Sequence, residues 1–185
     1  MISLYQIVLF FLFTGLFVYI SRASLSKPRS HGFFRFFAWE FILALFLLRV
    51  EGWFRDPFSW HQILSWLLLV IALFLVIHGV WLLRQIGKQN AQRDDSPMLA
   101  FEKTTQLVTI GAYRYIRHPL YSSLLFLCWG IFFKDPDWLG AVLGALATLC
   151  LIATARAEEV EDIRFFGPAY QEYIRHSRMF IPYLF

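Results

Sequence analysis

The chain has 185 residues, of which 58% are hydrophobic, 19% aromatic and only 16% charged. Soluble domains carry about a quarter charged residues and roughly 45–50% apolar ones, so this composition excludes a disordered chain and disfavours an ordinary soluble globule. The net charge of +4 is small, and the charges lie between long apolar runs, which does not favour nucleic acid as a partner. Cys128 and Cys150 lie inside such runs without metal-ligand spacing, which predicts lipid-facing or packing thiols that neither bind a metal nor form a disulfide.

Five apolar segments follow one another along the chain, at residues 2–20, 32–50, 60–83, 119–133 and 138–155. A helix crosses the hydrocarbon layer in about 20 residues. The first segment lacks the basic start and small-residue cleavage site of a signal peptide, so we predict that it is a span. A turn around Pro136 separates the last two segments and predicts a helical hairpin.

The sequence therefore predicts an all-α integral membrane protein with about five transmembrane helices. Residues 1–185 would form a single domain, divided into three spans (1–83), a loop (84–118), and a segment that contains the hairpin and the C-terminal helix (119–185). The linker after the first span, the long loop and the tail hold 13 of the 17 Lys and Arg residues. The positive-inside rule places these three segments in the cytosol and the N-terminus outside.

The long loop ends in the sequence Gly-Ala-Tyr-Arg-Tyr-Ile-Arg-His-Pro-Leu-Tyr, at residues 111–121. Gly111 permits a turn that other residues resist. Pro119 suits the first turn of a helix, which would place His118 at the N-cap. Composition alone accounts equally well for an ordinary interfacial stretch, in which Tyr and Arg anchor the chain among lipid headgroups.

The tail contains four acidic residues just beyond the fifth span, on a helix that Gly167 and Pro168 are expected to end. Helical spacing places Glu158, Glu161 and Asp162 on one face, and Arg156 and Glu159 on another. A solvated helix end is the alternative interpretation. It does not account for four acids at a membrane face where basic residues are usual.

Together, the two segments resemble a known family. Gly-x-Tyr-x-x-x-Arg-His-Pro-x-Tyr, followed by Glu-Glu and then Phe-Gly-x-x-Tyr-x-x-Tyr, is similar to the isoprenylcysteine carboxyl methyltransferases and their relatives, the membrane phospholipid methyltransferases. The resemblance covers residues 105–182 and both motifs in order. Residues 1–83 resemble the family only in being apolar.

The resemblance implies that the chain binds S-adenosylmethionine on the cytosolic side, between the Arg-His-Pro segment and the Glu-Glu helix. The matching cofactor-binding positions are Thr105, Gln106, Leu107, Val108, Tyr113, His118, Pro119, Leu120, Tyr121 and Glu158.

Two positions depart from the family pattern. A glycine that usually follows the His-Pro-x-Tyr motif is Ser123 here, which is still small. The family arginine that contacts substrate falls at Thr154, and Arg156 is the nearest basic residue, about 160° round the helix. The substrate role is therefore assigned to Arg156.

The resemblance predicts methyl transfer to a lipid or prenylated acceptor from the bilayer, most simply the carboxylate of an isoprenylcysteine-like substrate. A carboxylate is already ionised near neutral pH, whereas an amine, as in a phospholipid acceptor, needs a base, for which His118 and His176 are candidates. Two other classes stay open. A membrane sterol-type reductase would bind NADPH through the basic residues of the loop, and a non-catalytic membrane scaffold would need neither motif.

Two ionisable side chains lie within the apolar segments themselves. Glu40 lies in the second and His78 in the third, each closer to the cytosolic end. Ionisable groups in the bilayer are costly and usually face a partner or a wet cavity. We therefore expect Glu40 and His78 to face each other or a shared polar chamber, with pairing of Glu40 to an unrelated group as the alternative.

Overall fold

A computed structural model describes residues 3–88 and 104–184, and these residues form helices joined by turns and short extended segments. Six α-helices occur in them: α1 (Leu4–Leu25), α2 (His31–Arg49), α3 (Trp60–Ile86), α4 (Pro119–Phe132), α5 (Trp138–Phe166) and α6 (Pro168–His176). Two short 3₁₀ helices, Val50–Gly52 and Gly111–Arg114, follow α2 and precede α4. The prediction of an all-α fold is confirmed.

The five predicted apolar segments correspond to α1–α5. Of these, α1, α3 and α5 are long and apolar enough to cross a membrane by length and composition. Helix α4 has only 14 residues, and α2 contains Arg35, Glu40 and Arg49. The helices exist where the sequence predicts them, and the number that cross the bilayer stays a prediction.

Helix boundaries follow local capping rules. The Oγ of Ser30 accepts a hydrogen bond from the N–H of Phe33 at the start of α2, and Asp137 caps α5 by accepting from the N–H of Gly140. At the other end of α5, Gly167 adopts a φ of 62° and Pro168 begins α6. The predicted helix end at Gly167 is thereby confirmed.

Helix packing occurs mainly in two pairs. Helix α2 packs on α5, and α3 packs on α4, while α1 contacts α2 at the edge. One core joins Ala38 of α2 to Tyr121 of α4 and Leu151 of α5. A second core, further along the same helices, centres on Leu45, Cys128 and Ala147. Both cysteines are free; Cys128 is buried and Cys150 is partly buried.

This packing separates the two ionisable residues of the apolar segments, so the expectation that they face each other is wrong. The carboxylate of Glu40 faces α1 and accepts a hydrogen bond from Thr14 at 2.7 Å. His78 instead stacks between Phe74 and Trp81 on α3. Because α2 packs on α5 and α1 while α3 packs on α4, the two side chains belong to different interfaces.

A polar cluster fixes the turn between α4 and α5. Lys134 in this turn is fully buried, and its Nζ donates to the Oε1 of Gln62 at 3.0 Å. The same ammonium lies 3.4 Å from the centroid of the Trp66 ring. Arg49 at the end of α2 pairs with Asp137. The turn is therefore attached to α2 and α3, and α4 and α5 both extend from it towards the opposite end of the molecule.

Candidate active site

The two sequence motifs meet at the end of the hairpin opposite its turn. His118 is the N-cap residue of α4 and Pro119 is its first residue, as the sequence predicts. Gly111 adopts a φ of 60°, which confirms the predicted turn. Nδ1 of His118 lies 2.9 Å from Oε2 of Glu158, and Nε2 lies 3.3 Å from Oε1 of Glu159. The imidazole therefore lies between two carboxylates of α5.

Glu159 takes a part in this cluster that helical spacing did not predict. Its carboxylate also pairs with Arg117, whose Nη1 donates to the backbone oxygen of Ser177 at 2.9 Å. Helical spacing places Glu159 on the side of Arg156, away from Glu158, yet both glutamates contact His118. Adjacent residues on a helix differ by about 100°, and the imidazole is wide enough to contact both.

The charges of the cluster control the protonation of His118. Burial by itself lowers the pKa of an imidazole, but hydrogen bonds and charges from Glu158 and Glu159 outweigh it and raise the pKa of His118 from 6.5 to about 9. His118 is thus a buried imidazolium at neutral pH. It stacks on the ring of Tyr121, with centroids 5.5 Å apart.

The C-terminal segment holds the Arg-His-Pro segment in place. The N–H of Arg117 donates to the oxygen of Arg178 at 2.8 Å, and the N–H of Arg178 donates to the oxygen of Tyr115 at 2.9 Å. Ser122 Oγ donates to the oxygen of Phe180 at 2.9 Å. These backbone contacts form a short parallel bridge that fixes His118 before α4 begins.

A cleft opens beside this cluster. Its empty volume, including the open mouth, is about 630 Å³. The lining is largely apolar and aromatic but includes His118, Arg117 and the carboxylates of Glu158 and Asp162. The lining residues are Leu83, Thr104, Leu107, Val108, Tyr113, Arg117, His118, Pro119, Leu120, Tyr121, Glu158, Asp162, Phe166, Tyr170 and Tyr173.

Two tyrosines of α6 close the wall of the cleft. Tyr170 and Tyr173 are buried, and the hydroxyl of Tyr173 donates to the backbone oxygen of Tyr113 at 2.6 Å. Burial raises the pKa of both phenols well above the usual range, so they stay neutral. Helix α6 is thereby joined to the 3₁₀ helix that carries Tyr113.

One family model and one known relative match this chain. The family model described as phospholipid methyltransferase matches residues 60–169, more than half of the chain. The chain belongs to the phospholipid methyltransferase family. It is also 25% identical over 122 residues to a methanethiol S-methyltransferase of Crocosphaera subtropica. This match covers 65% of the chain and 44% of that relative, so the chain spans less than half of the relative's length. No solved structure matches at a significant level.

The residues matched by the phospholipid methyltransferase family include most of those that line the cleft. Of the residues that line it, only Tyr170 and Tyr173 lie outside residues 60–169. Membership of this membrane methyltransferase family and the three apolar helices α1, α3 and α5 together identify a membrane protein. Among residues 3–88 and 104–184, no group of three His, Cys, Asp or Glu side chains could hold a metal ion.

Eight of the ten predicted cofactor-binding residues line the cleft. Thr105 and Gln106 do not. Their side chains are exposed, and their N–H groups donate to the oxygen of Gly87, which attaches this segment to the end of α3. Thr104, one residue earlier, lines the cleft instead. Cofactor contacts of Thr105 and Gln106 stay predictions.

Arg156, the predicted substrate-binding residue, is exposed and lies outside the cleft lining. Thr154, at the position of the family arginine, is fully buried, and its hydroxyl donates to the oxygen of Cys150 at 2.8 Å. Ser123, which replaces a family glycine, is buried and donates to the oxygen of Leu120 at 2.6 Å. The role of Arg156 stays a prediction.

Several cleft residues were not predicted, although the motifs contain some of them. Phe166, Tyr170 and Tyr173 belong to the Phe-Gly-x-x-Tyr-x-x-Tyr motif, which carried the resemblance without being assigned a role. Arg117 immediately precedes the predicted His118. Leu83 and Asp162 had no signal beyond helical spacing, because their positions depend on how α3 and α5 pack.

Proposed function

We propose that this protein is an S-adenosylmethionine-dependent methyltransferase that acts on an apolar acceptor from the bilayer. The observation that carries the proposal is the convergence of His118 and Glu158 in one cleft, with nitrogen and oxygen 2.9 Å apart, although 40 residues separate them in sequence. Membership of a methyltransferase family supports the reaction class.

The residues of the cleft fit the chemistry of this methyl donor, which combines an ammonium, a carboxylate, a cationic sulfonium and a flat adenine. The carboxylates of Glu158 and Asp162 would pair with the ammonium. The imidazolium of His118 would meet the carboxylate. The positive end of the helix dipole at the start of α4 would also favour this negative charge.

Aromatic and apolar residues would hold the rest of the donor. Tyr113 and Tyr121 line the cleft with ring faces suited to stacking on adenine or to a cation–π contact with the sulfonium. Leu83, Leu107 and Val108 would exclude water from the reacting atoms. When bound, the donor supplies an electrophilic methyl group, and transfer depends mainly on alignment and dehydration.

The network of Arg117, Glu159 and Ser177 would keep His118 in place. Because Arg117 pairs with Glu159 and with the backbone of Ser177, the imidazole is fixed on one side while Glu158 faces the cleft on the other. The positive-inside pattern supports a cytosolic position for this cleft. A water-soluble donor would then enter from the cytosol, and the acceptor would arrive sideways from the membrane.

Binding measurements on the purified protein separate this proposal from its alternatives. We expect calorimetry to show one S-adenosylmethionine bound per chain and no binding of NADPH at the same concentration. Radiolabelled methyl transfer should then be measured with a phospholipid amine, an alkanethiol and the carboxylate of an S-prenylated N-acetylcysteine. Binding of NADPH without S-adenosylmethionine would favour a reductase and refute the proposal, and binding of neither would favour a scaffold.

A further inference from the structure

An exposed patch of basic and apolar side chains lies next to the Arg-His-Pro segment. Its five members are Arg114 and Tyr115, which precede that segment, and Arg178, Tyr183 and Leu184 of the C-terminal segment. Tyr183 and Leu184 are each 80% exposed, and Tyr115 is 45% exposed. None of the five lines the cleft, so the donor site does not account for this arginine–tyrosine patch.

Direct contacts hold the two halves of the patch together. The N–H of Arg178 donates to the backbone oxygen of Tyr115 at 2.9 Å. The ring centroids of Tyr115 and Tyr183 lie 6.2 Å apart, and the guanidinium carbon of Arg114 lies 5.8 Å from the centroid of the Tyr115 ring. The patch is therefore one continuous surface built from two segments of the chain.

The length of α5 indicates the depth of this surface in the membrane. The helix begins at Trp138, whose exposed indole is typical of a membrane interface. Glu158, which pairs with His118, lies 20 residues further along the helix. At 1.5 Å per residue this distance is about 30 Å, the thickness of the hydrocarbon core. The patch, which adjoins His118 in sequence, therefore lies at the level of the headgroups on the other side of the bilayer.

The two arginines of the patch differ from their neighbours in their partners. Arg117 and Arg175 each pair with a glutamate. Arg114 and Arg178 are exposed, and neither forms an ion pair with any residue in 3–88 or 104–184. A guanidinium presents several N–H donors whose geometry suits a phosphate. Two such groups beside tyrosine rings at headgroup level therefore fit an anionic lipid headgroup.

We propose that the arginine–tyrosine patch binds the headgroup phosphate of anionic phospholipids in the cytosolic leaflet. The two arginines would contact the phosphate, and the tyrosines and Leu184 would pack among the headgroups and the upper acyl chains. The positive-inside pattern supports a cytosolic position for this end of the molecule, and the cytosolic leaflet carries the anionic lipids. A lipid that contacts both halves of the patch would hold the C-terminal segment against the Arg-His-Pro segment.

Native mass spectrometry of the purified full chain measures the lipid preference. The protein is released from micelles that contain equimolar phosphatidylglycerol and phosphatidylcholine, and the readout is the ratio of phosphatidylglycerol to phosphatidylcholine adducts. Wild type is compared with Arg114→Gln, Arg178→Gln and the double variant. The matched control combines Arg164→Gln and Arg175→Gln, which removes the same charge from two exposed arginines outside the patch. The Tm of each variant tests its fold.

We expect wild type to bind phosphatidylglycerol in preference to phosphatidylcholine. Each substitution in the patch should lower the adduct ratio about fivefold, the usual contribution of one basic residue near an anionic leaflet. The double variant should lower the ratio by about the product of the two single effects, and the control should stay close to wild type. The single variants keep the test available if the double variant does not fold.

Three outcomes would overturn the proposal. The first is equal binding of the two lipids by wild type. The second is an unchanged ratio in the double patch variant, since the anionic lipid would then bind elsewhere. The third is an equal loss in the control, which would show that only the net charge of the protein matters. None of these outcomes depends on donor binding, so the methyltransferase function is tested separately.

Discussion

The imidazole of His118 and the carboxylate of Glu158 form an ion pair with 2.9 Å between Nδ1 and Oε2, across 40 residues of sequence. The hairpin of α4 and α5 explains this distance. Helix α4 leads into the turn and α5 leads away from it, so the start of α4 and the C-terminal part of α5 lie at the same end of the molecule. The turn itself is fixed by Lys134 and Gln62. The antiparallel arrangement of α4 and α5 thus brings the two side chains together.

This pair is expected to contribute directly to donor binding. Glu158→Ala or His118→Ala should weaken S-adenosylmethionine binding about tenfold to a hundredfold, because the loss of one charge-assisted contact costs about 1.5–3 kcal/mol. Calorimetry on purified variants measures the change. Glu172→Ala is the control, since Glu172 is exposed and pairs only with Arg175 and His176 among the described residues. Unchanged affinity in both cleft variants, with the fold intact, would refute the proposed donor site.

The raised pKa of His118 predicts a pH-dependent contribution to stability. In the folded protein this pKa is about 9, against 6.5 in the unfolded chain. Stabilisation by the charged form is therefore complete below the unfolded value and is lost as the pH rises through the folded one. Thermal unfolding of wild type and His118→Gln should differ most near about pH 6 and least near about pH 10.

The exposed histidine of α6 provides the control for this pH dependence. His176→Gln should leave the Tm nearly unchanged at both pH values, because the His176 side chain is exposed and its ion pair with Glu172 lies in water. A Tm difference between wild type and His118→Gln that grows as the pH rises would contradict the assignment of a buried imidazolium.

Local sequence signals predicted the helices and most of the cleft. The N-cap at His118, the turn at Gly111 and the helix end at Gly167 each follow from backbone preferences of a few adjacent residues. Motifs that carried the family resemblance supplied the lining residues Tyr113 and Glu158. These features depend on local geometry, so they could be predicted before the packing was known.

Contacts between distant helices could not be predicted in this way. His31 on α2 pairs with Glu161 on α5 at 2.6 Å, and His31 lies outside the region that the family model matches. Nothing in the apolar pattern indicates that α2 packs on α5 and not on α3, and for the same reason the expected pairing of Glu40 with His78 was wrong. Because apolar helices have similar sequences, the sequence alone does not show which of them pack against each other.

The predicted topology can be tested by labelling single cysteines in intact cells. Asp56 and Glu172 are both exposed and are separated by α3, α4 and α5. In a protein with Cys128→Ala and Cys150→Ala, an impermeant reagent should label Asp56→Cys from outside and leave Glu172→Cys protected, because the positive-inside rule places the tail in the cytosol. Labelling of both from outside would require an even number of crossings between them and would refute the predicted spans.

The buried lysine of the hairpin turn should be important for stability and not for donor binding. Lys134→Ala removes the ammonium that donates to Gln62 Oε1 and covers the Trp66 ring. An unpaired buried carbonyl and the lost packing together should lower the free energy of unfolding by about 2–4 kcal/mol, seen as a lower Tm. Lys134→Met restores much of the volume and should lose less. Lys27→Ala, at an exposed position, is the control.

Because the turn and the cleft lie at opposite ends of the hairpin, the folded fraction of Lys134→Ala should bind S-adenosylmethionine as tightly as wild type. A Tm equal to wild type would show that the cluster around Lys134 does not hold α4 and α5 in place.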